Sequence, residues 1–307
     1  GATSSSDITG QGERLWKITG SNIEASVGKP TGTTVGDAEF YDDGIQFIYY
    51  HYYKTGATAT LTYTKPGYDA TFSIESGEGA SISGNVVTMG TSDVTVVATT
   101  TVAEWTGSGD SADDPYIIYT REQFDMLAER VNDGTSTYQG KFFRLDDYIT
   151  YGTLSPFYYT PIGNATHPFC GTFDGNGNQI SYAGSTDGTS SYQGIFGHIG
   201  AGGTVKNLQA KFCSFRGHDY IGVIAGYNAG TIQNCRVGYE SNYGGNVTFT
   251  EDGHSCYGTI AGYNSGTVSE CISYGVVAPS NDINEYTNVT KCGGIVGHNT
   301  STGTVQN

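Results

Sequence analysis

The side chains able to do chemistry are few in this chain of 307 residues, and their spacing matters more than their number. A zinc hydrolase needs H-E-x-x-H, two ligands one helical turn apart with a glutamate base between them. None of the six histidines is followed by Glu, so that chemistry is excluded. Glycan cleavage needs either two carboxylates at a working separation or a calcium-binding carboxylate cluster with a basic partner. The acids of the last third are Asp219, Glu240, Glu251, Asp252, Glu270, Asp282 and Glu285, and they fall at no matched spacing. Asp174-Gly-Asn-Gly-Asn178 opens like a calcium loop, but Gln179 stands where the loop requires Gly and Ser185 where it requires an acid. A tight turn between strands explains the same letters. Asp110, Asp113 and Asp114 sit in a breaker-rich stretch and read as a solvated linker. No catalytic, cofactor-binding or metal-binding residue is therefore assigned, and the chain is expected not to be an enzyme.

The cysteines and aromatics are more regular. Cys170, Cys213, Cys235, Cys256, Cys271 and Cys292 include no C-x-x-C pair, which argues against a zinc ribbon or a redox dithiol. Cys235 and Cys271 follow equivalent phrases and should be neighbours about 4.8 Å apart if those phrases stack as parallel strands. That separation allows a ladder of reduced thiols or a bridge, and the reduced ladder is the favoured reading because free Cys packs as a small hydrophobe. Tyr227 and Tyr263 also match, with His198 and His298 on either side. They form either an outward aromatic row suited to ligands or, as favoured here, a ladder that fills a corner.

What must position these residues is a phrase used four times. It reads Gly194-Ile-Phe-Gly197-His, Gly222-Val-Ile-Ala-Gly226-Tyr-Asn-Ala-Gly230-Thr-Ile, Gly258-Thr-Ile-Ala-Gly262-Tyr-Asn-Ser-Gly266-Thr-Val and Gly293-Gly-Ile-Val-Gly297-His-Asn. The first and last copies go on to Gly203-Thr-Val and Gly303-Thr-Val, and the second glycines lie 29, 36 and 35 residues apart. Such a period marks stacked supersecondary units, and the apolar runs are too short for helices. Asn and Gly at the Tyr/His-Asn-x-Gly step are expected to take the left-handed conformation of a sharp corner. Thr-Val or Thr-Ile then opens a new strand. The expected fold is all-β, a solenoid, with Val223-Ile224, Thr259-Ile260 and Gly294-Ile295 in parallel strands.

At this phrase the chain resembles the GLUG-motif proteins, bacterial surface proteins of adhesin-like type whose repeats also occur in the non-catalytic part of IgA-specific metallopeptidases. Tyr159-Thr-Pro-Ile-Gly163-Asn and Phe169-Cys-Gly-Thr-Phe-Asp174-Gly-Asn-Gly-Asn-Gln-Ile180 are similar to the lead-in that usually precedes such repeats. The resemblance covers about residues 107 to 307 and implies a right-handed parallel β-helix. Copies one and four depart from it, with His198 and His298 in place of Tyr and longer corners.

Upstream, Ile45–Tyr53, Ala57–Tyr63, Ala70–Ile74, Val86–Met89 and Asp93–Thr99 read as strands broken by Gly56, Pro66-Gly67 and Gly84-Asn85. Leu15-Trp-Lys-Ile and Ile23-Glu-Ala-Ser-Val are candidates for two more. In the run Tyr49-Tyr-His51-Tyr-Tyr53, alternation sends Tyr49, His51 and Tyr53 to one face and Tyr50 and Tyr52 to the other. Residues 1–104 thus form a small β module, β-grasp-like or immunoglobulin-like, and resemble the internalin-type repeats that end in T-M-x-x-S-D-V-T-V. Trp105–Pro115 is the boundary, and residues 105–307 hold the repeats. One helix is expected near 120–133. Thr120 would be its N-cap and Gln123 the partner in a capping box. Phe124, Leu127, Ala128 and Val131 give its apolar stripe, and Gly134 its stop. Its expected job is to cover the open first coil.

The formal charge of −16 is shared by both halves, and no basic residue lies between Arg144 and Lys206. A phosphate backbone needs clustered Lys and Arg, so nucleic acid is not a partner. Anionic membranes and polyuronates are disfavoured for the same reason. No run of eighteen apolar residues spans a membrane. The chain opens Gly1-Ala-Thr without Met or a visible signal peptide, as a processed chain would. It stops at Asn307 soon after a Gly-Thr-Val, so the repeats are expected either to continue in the natural protein or to end abruptly here. The expectation is a monomeric, secreted segment displayed on a bacterial cell surface. It would serve as an adhesin or scaffold for an extracellular protein or glycan. A polysaccharide-active lyase or hydrolase and a pure spacer are the alternatives.

Overall fold

The computed structural model describes residues 15–26, 52–152, 159–185, 188–238, 245–249, 255–279 and 290–307. The strand expected over Ile45–Tyr53 lies outside these as far as His51, and so do the acids Glu240, Glu251, Asp252, Asp282 and Glu285. The chain divides into two compact units, residues 1–103 and 104–307.

In the first unit two four-stranded sheets share one core. One sheet holds Leu15–Thr19, Tyr52–Lys54, Tyr68–Ser76 and Val94–Val102; the other holds Ile23–Ala25, Thr58–Tyr63, Ser81–Ser83 and Val86–Thr88. The pairing is antiparallel except between Leu15–Thr19 and Val94–Val102. Period-two alternation decides which side chains enter: Ala59 and Leu61 are buried while Thr58, Thr60 and Thr62 face out. Tyr53, Val87, Met89, Val94 and Val96 complete the core. The phenol of Tyr53 reaches the carbonyls of Ala25 and Ser26, and burial pushes its pKa up to about 12.

Among its described residues the second unit is nearly all β, with one helix and several parallel sheets. Its seven-stranded sheet runs in strict chain order through Tyr116–Ile118, Phe142–Leu145, Thr172–Asp174, Thr204–Lys206, Thr231–Gln233, Thr267–Ser269 and Thr304–Gln306. Every pair is parallel and in register. The middle residues form one inward row, Phe143, Phe173, Val205, Ile232 and Val268, all buried, ending on Val305, which is 47% exposed. Thr172, Thr204, Thr231, Thr267 and Thr304 form a flanking row in the same register. A second sheet stacks Ile149–Thr150, Gln179–Ser181, Gln209–Lys211, Arg236–Val237 and Ile272–Ser273. A third stacks Phe196–Ile199, Ala225–Asn228, Ala261–Asn264 and Val296–Asn299. From Phe196 to Asn299, each pass of the chain therefore lays one strand on the third sheet and one on the first.

The Gly-x-x-x-Gly phrase is placed differently from its sequence reading in two respects. Val223-Ile224, Thr259-Ile260 and Ile295 occupy equivalent levels, since Val223 N–H donates to Thr259 O and Ile260 N–H to Ile295 O, both at 2.9 Å. They lie in the bend just before the strands, which begin at Ala225, Ala261 and Val296. The Asn of the phrase is not a left-handed corner either. Asn228 and Asn264 end their strands, are fully buried, and donate Nδ2 to the Oδ1 of the next Asn, Asn264 and Asn299, at 2.7 Å each. A buried amide in a stack has both a donor and an acceptor to satisfy, and an identical amide one level away supplies both. The following glycine is needed for closeness instead of a positive φ: a Cβ at Gly266 would collide with the carbonyl of Gly230.

The left-handed corners are elsewhere and recur at matched positions. Asn207, Asn234 and Glu270 hold φ of 54°, 50° and 54°, each following a strand of the seven-stranded sheet. Tyr192, Tyr220, Cys256 and Lys291 hold φ of 59° to 75° before the third sheet. For a bulky residue that conformation costs about 1–2 kcal/mol, so the stack over-determines it. The second glycine of the phrase sits against these corners, and a Cβ at Gly226 would strike Tyr220 O.

The helix spans Arg121–Asn132 with Thr120 as N-cap, its Oγ1 accepting Gln123 N–H at 3.1 Å. The reciprocal bond falls one residue early: Gln123 Oε1 accepts Tyr119 N–H at 2.9 Å. Gly134 follows at φ 83°. Phe124, Leu127, Ala128 and Val131 are buried, and the Phe124 ring packs on Phe173 and Tyr159 of the stack's core. Trp105–Pro115 is not a free linker. Trp105 is buried against Tyr116, Tyr138 and Phe143, donates Nε1 to Gln123 O at 3.1 Å, and lies beneath the Arg130 guanidinium. Asp110 pairs with Lys141 Nζ at 2.5 Å, and Asp114 accepts Ser108 N–H.

Candidate functional site

The third sheet brings the aromatic positions together. His198, Tyr227, Tyr263 and His298 are register partners on four successive strands. Alternation turns them outward while Asn228 and Asn264 turn in. Tyr192 and Tyr220, from the left-handed corners, pack beside them. Tyr227 and Tyr263 stack with centroids 4.5 Å apart and planes 20° apart. His198 and His298 meet this pair edge-on at 4.7 and 5.0 Å. A sugar needs a free ring face to stack on. In this ladder the tyrosine faces cover one another along the stack, so the row works as a packing device. Burial holds the His198 imidazole below its usual pKa, against the opposing hydrogen bond to Asn164 O at 3.0 Å.

The described carboxylates of the stack are engaged as hydrogen-bond acceptors at its corners. Asp174 takes the Asn176 N–H at 2.8 Å, Asn207 Nδ2 at 2.9 Å and Lys206 Nζ at 3.2 Å. Burial raises its pKa, but the bonds from Asn207, Asn176 and Lys206 outweigh that and leave it depressed. Asn176 and Gly177 are left-handed, and Asn178 Nδ2 donates to Leu145 O at 2.8 Å, so Asp174–Asn178 is a turn joining two sheets. Asp219 accepts Ser255 N–H at 2.8 Å, and Glu270 accepts Gln233 Nε2 at 3.1 Å. Among the described residues no three His, Cys, Asp or Glu side chains gather as metal ligands. One acid not singled out from sequence is Asp125 on the helix. Burial lifts its pKa against the bond from Tyr151, at 2.5 Å, which ties the helix to the stack, and against Arg121 one turn earlier on the same helix.

A second grouping had no motif to announce it. The outer face of the second sheet presents Gln179 and Gln209 in register, then Arg236 and Ile272. Beside the two glutamines lies an open depression of about 410 Å³ lined by Tyr148, Gly177, Asn178, Gln179, Gln209 and Lys211. Tyr148 is 58% exposed, so its ring is offered to solvent. Gln209 Nε2 is fixed by Gly177 O at 2.9 Å. One exposed aromatic ring among amides and an ammonium can take a ligand that has both an apolar face and hydroxyl or carbonyl groups. The usable signal was the alternation of a very short strand, Gln209-Ala-Lys211, too brief to mark its outward residues as a set.

No known protein-family profile matches the chain. Over 133 residues, 42% of the chain, it is 31% identical to Halomucin of Haloquadratum walsbyi. Over 136 residues, 43% of the chain, it is 29% identical to a protein of Evansella cellulosilytica described as a Gly-rich membrane protein. The chain spans about 1% and 15% of the length of these relatives. Among solved structures, a Bacteroides ovatus protein described as an immunoglobulin A1 protease aligns with 64% of this chain and 65% of its own, at 16% identity and a TM-score of 0.40. A likeness that distant carries no weight for fold or activity. No helix among the described residues is long and apolar enough to cross a membrane.

Proposed function

We propose that the second unit is a right-handed parallel β-helix of GLUG type, and that the whole chain is a non-catalytic, monomeric segment of a secreted bacterial surface protein. Its role is adhesion or extracellular ligand binding, with the first unit as an immunoglobulin-like or β-grasp-like module. The in-register parallel pairing and the partial likeness to Halomucin and to a Gly-rich membrane protein support the scaffold reading. The observation that carries the binding reading is the depression at Tyr148, where an exposed ring, two register-matched glutamines and Lys211 converge. Corner acids that already accept hydrogen bonds from their own fold suit a scaffold better than a hydrolase.

The test is a binding screen of the chain on glycan and host-protein arrays, run beside an activity screen on the same glycans. Binding that falls at least tenfold in both Tyr148→Ala and Gln209→Ala, with unchanged melting, supports the site. Binding that survives both variants moves the site elsewhere. Cleavage of any arrayed glycan overturns the non-catalytic reading, and no binding to either array leaves the spacer reading in its place.

A further inference from the structure

Cys235 and Cys271 occupy one point on successive passes. Each follows a left-handed corner residue, Asn234 or Glu270, and precedes the register pair Arg236 and Ile272. Ile272 N–H donates to Cys235 O at 3.0 Å, which fixes the two backbones side by side. In the pass before, Leu208 follows the matching corner Asn207, so two thiols continue an inward position that began as an aliphatic one. The thiols interact with each other. Cys235 Sγ also lies 3.4 Å from Gln233 O, and Cys271 Sγ lies 3.2 Å from Ser269 O. Adjacent parallel strands stand about 4.8 Å apart, inside the Cα separation of roughly 4.4–6.8 Å that a disulfide accepts.

We propose that Cys235 and Cys271 are a covalent modification site: a disulfide oxidant joins them and closes one 36-residue pass into a ring. Access and acidity give the order of events. Cys235 is 1% exposed and Cys271 half-buried. The hydrogen bond from Cys235 lowers the Cys271 pKa, whereas burial drives that of Cys235 well up. Cys271 thiolate attacks one sulfur of oxidised glutathione, forming a mixed disulfide and releasing one glutathione thiolate. Cys235 then passes its proton to the medium, attacks Cys271 Sγ and expels the second glutathione. Two protein thiols lose two electrons, and one glutathione disulfide gains them as two thiols.

The experiment equilibrates the full chain in glutathione buffers from reducing to oxidising, then maps peptides without reduction by mass spectrometry. The expected result is a cross-linked 235–271 peptide two mass units below its reduced pair, with the second unit melting roughly 10 °C higher than when reduced. The cross-link and the shift persist in Cys292→Ser and vanish in Cys271→Ser. The wild-type peptide map decides the matter even if a variant folds poorly. Glutathione adducts without the 235–271 peptide overturn the proposal. So does a bridge between Cys256 and Cys292 alone, or a 235–271 bridge that leaves the melting temperature unmoved.

Discussion

Replacing Asn264 with Leu keeps the number and branching of the side-chain heavy atoms and removes its polarity, which tests what the buried amide row contributes. Asn264 is fully buried. It accepts Asn228 Nδ2 at 2.7 Å, donates to Asn299 Oδ1 at 2.7 Å, and lies 3.2 Å from both Gly266 O and Thr304 O. Leucine leaves one Asn228 amide hydrogen without a partner, because its other contact, Thr267 O at 3.1 Å, uses only one. At about 1 kcal/mol per lost bond, and about 1–3 kcal/mol for a buried group left unpaired, the loss is about 3–5 kcal/mol. For a unit of this size that lowers Tm by about 10 °C. Asn299→Leu is the internal control. Asn299 is exposed, and its loss still leaves Asn264 two carbonyls to donate to, so it should cost at most about 1 kcal/mol. Urea unfolding followed by circular dichroism gives both values from midpoints at a shared slope. Equal shifts for the two variants, or an Asn264→Leu change under about 1 kcal/mol, would refute the claim that these amides hold successive passes together.

Three further outcomes are expected. Since burial holds His198 below its ordinary pKa near 6.5, its neutral form is favoured by folding. The contribution is complete above about pH 6.5 and lost as pH falls through the depressed folded value, so the second unit's stability should decline below pH 6.5 with a slope absent from His198→Gln. Glu270→Asn should stabilise by about 0.5–1 kcal/mol, because Asn tolerates the left-handed corner that Asn207 and Asn234 already take; a lower midpoint in urea would show that the bond from Gln233 matters more. Ile260→Asp places a carboxylate at a fully buried level of the stack and should leave the chain unfolded or aggregated at room temperature, as read by gel filtration and circular dichroism.

The sequence carried the period of the stack and the strands that follow each Gly-Thr-Val, because β-branched residues after glycine have few other uses. It also carried the helix to within a residue, since Thr120, Gln123 and the Phe124–Val131 stripe agree on one answer. The corners were misread because Asn has two talents. Alone, an Asn-x-Gly step looks like a turn; stacked, Asn228 and Asn264 find identical amides above and below, and the corner passes to Tyr220, Cys256 and Glu270, whose side chains give no hint of it. The role of Trp105 was hidden because breakers around it dominate the local pattern, whereas its ring is placed by Phe143 and Gln123, 38 and 18 residues away. The depression at Tyr148 is assembled from three passes, and no window of sequence contains it.

The strictly sequential order of the seven-stranded sheet has a mechanical consequence. From Phe142–Leu145 to Thr267–Ser269 each strand of this sheet pairs with the one before and the one after, so tension along the stack loads a single rung at a time. The chain would yield by peeling, one pass after another, at a force set by one level of hydrogen bonds instead of the sum of all. A pass such as Gly226 to Gly262, 36 residues long, would release about 120 Å of slack when it lets go. Under a steady pull such a segment lengthens in steps while the remaining levels stay folded, which is how a tether absorbs a jolt without breaking.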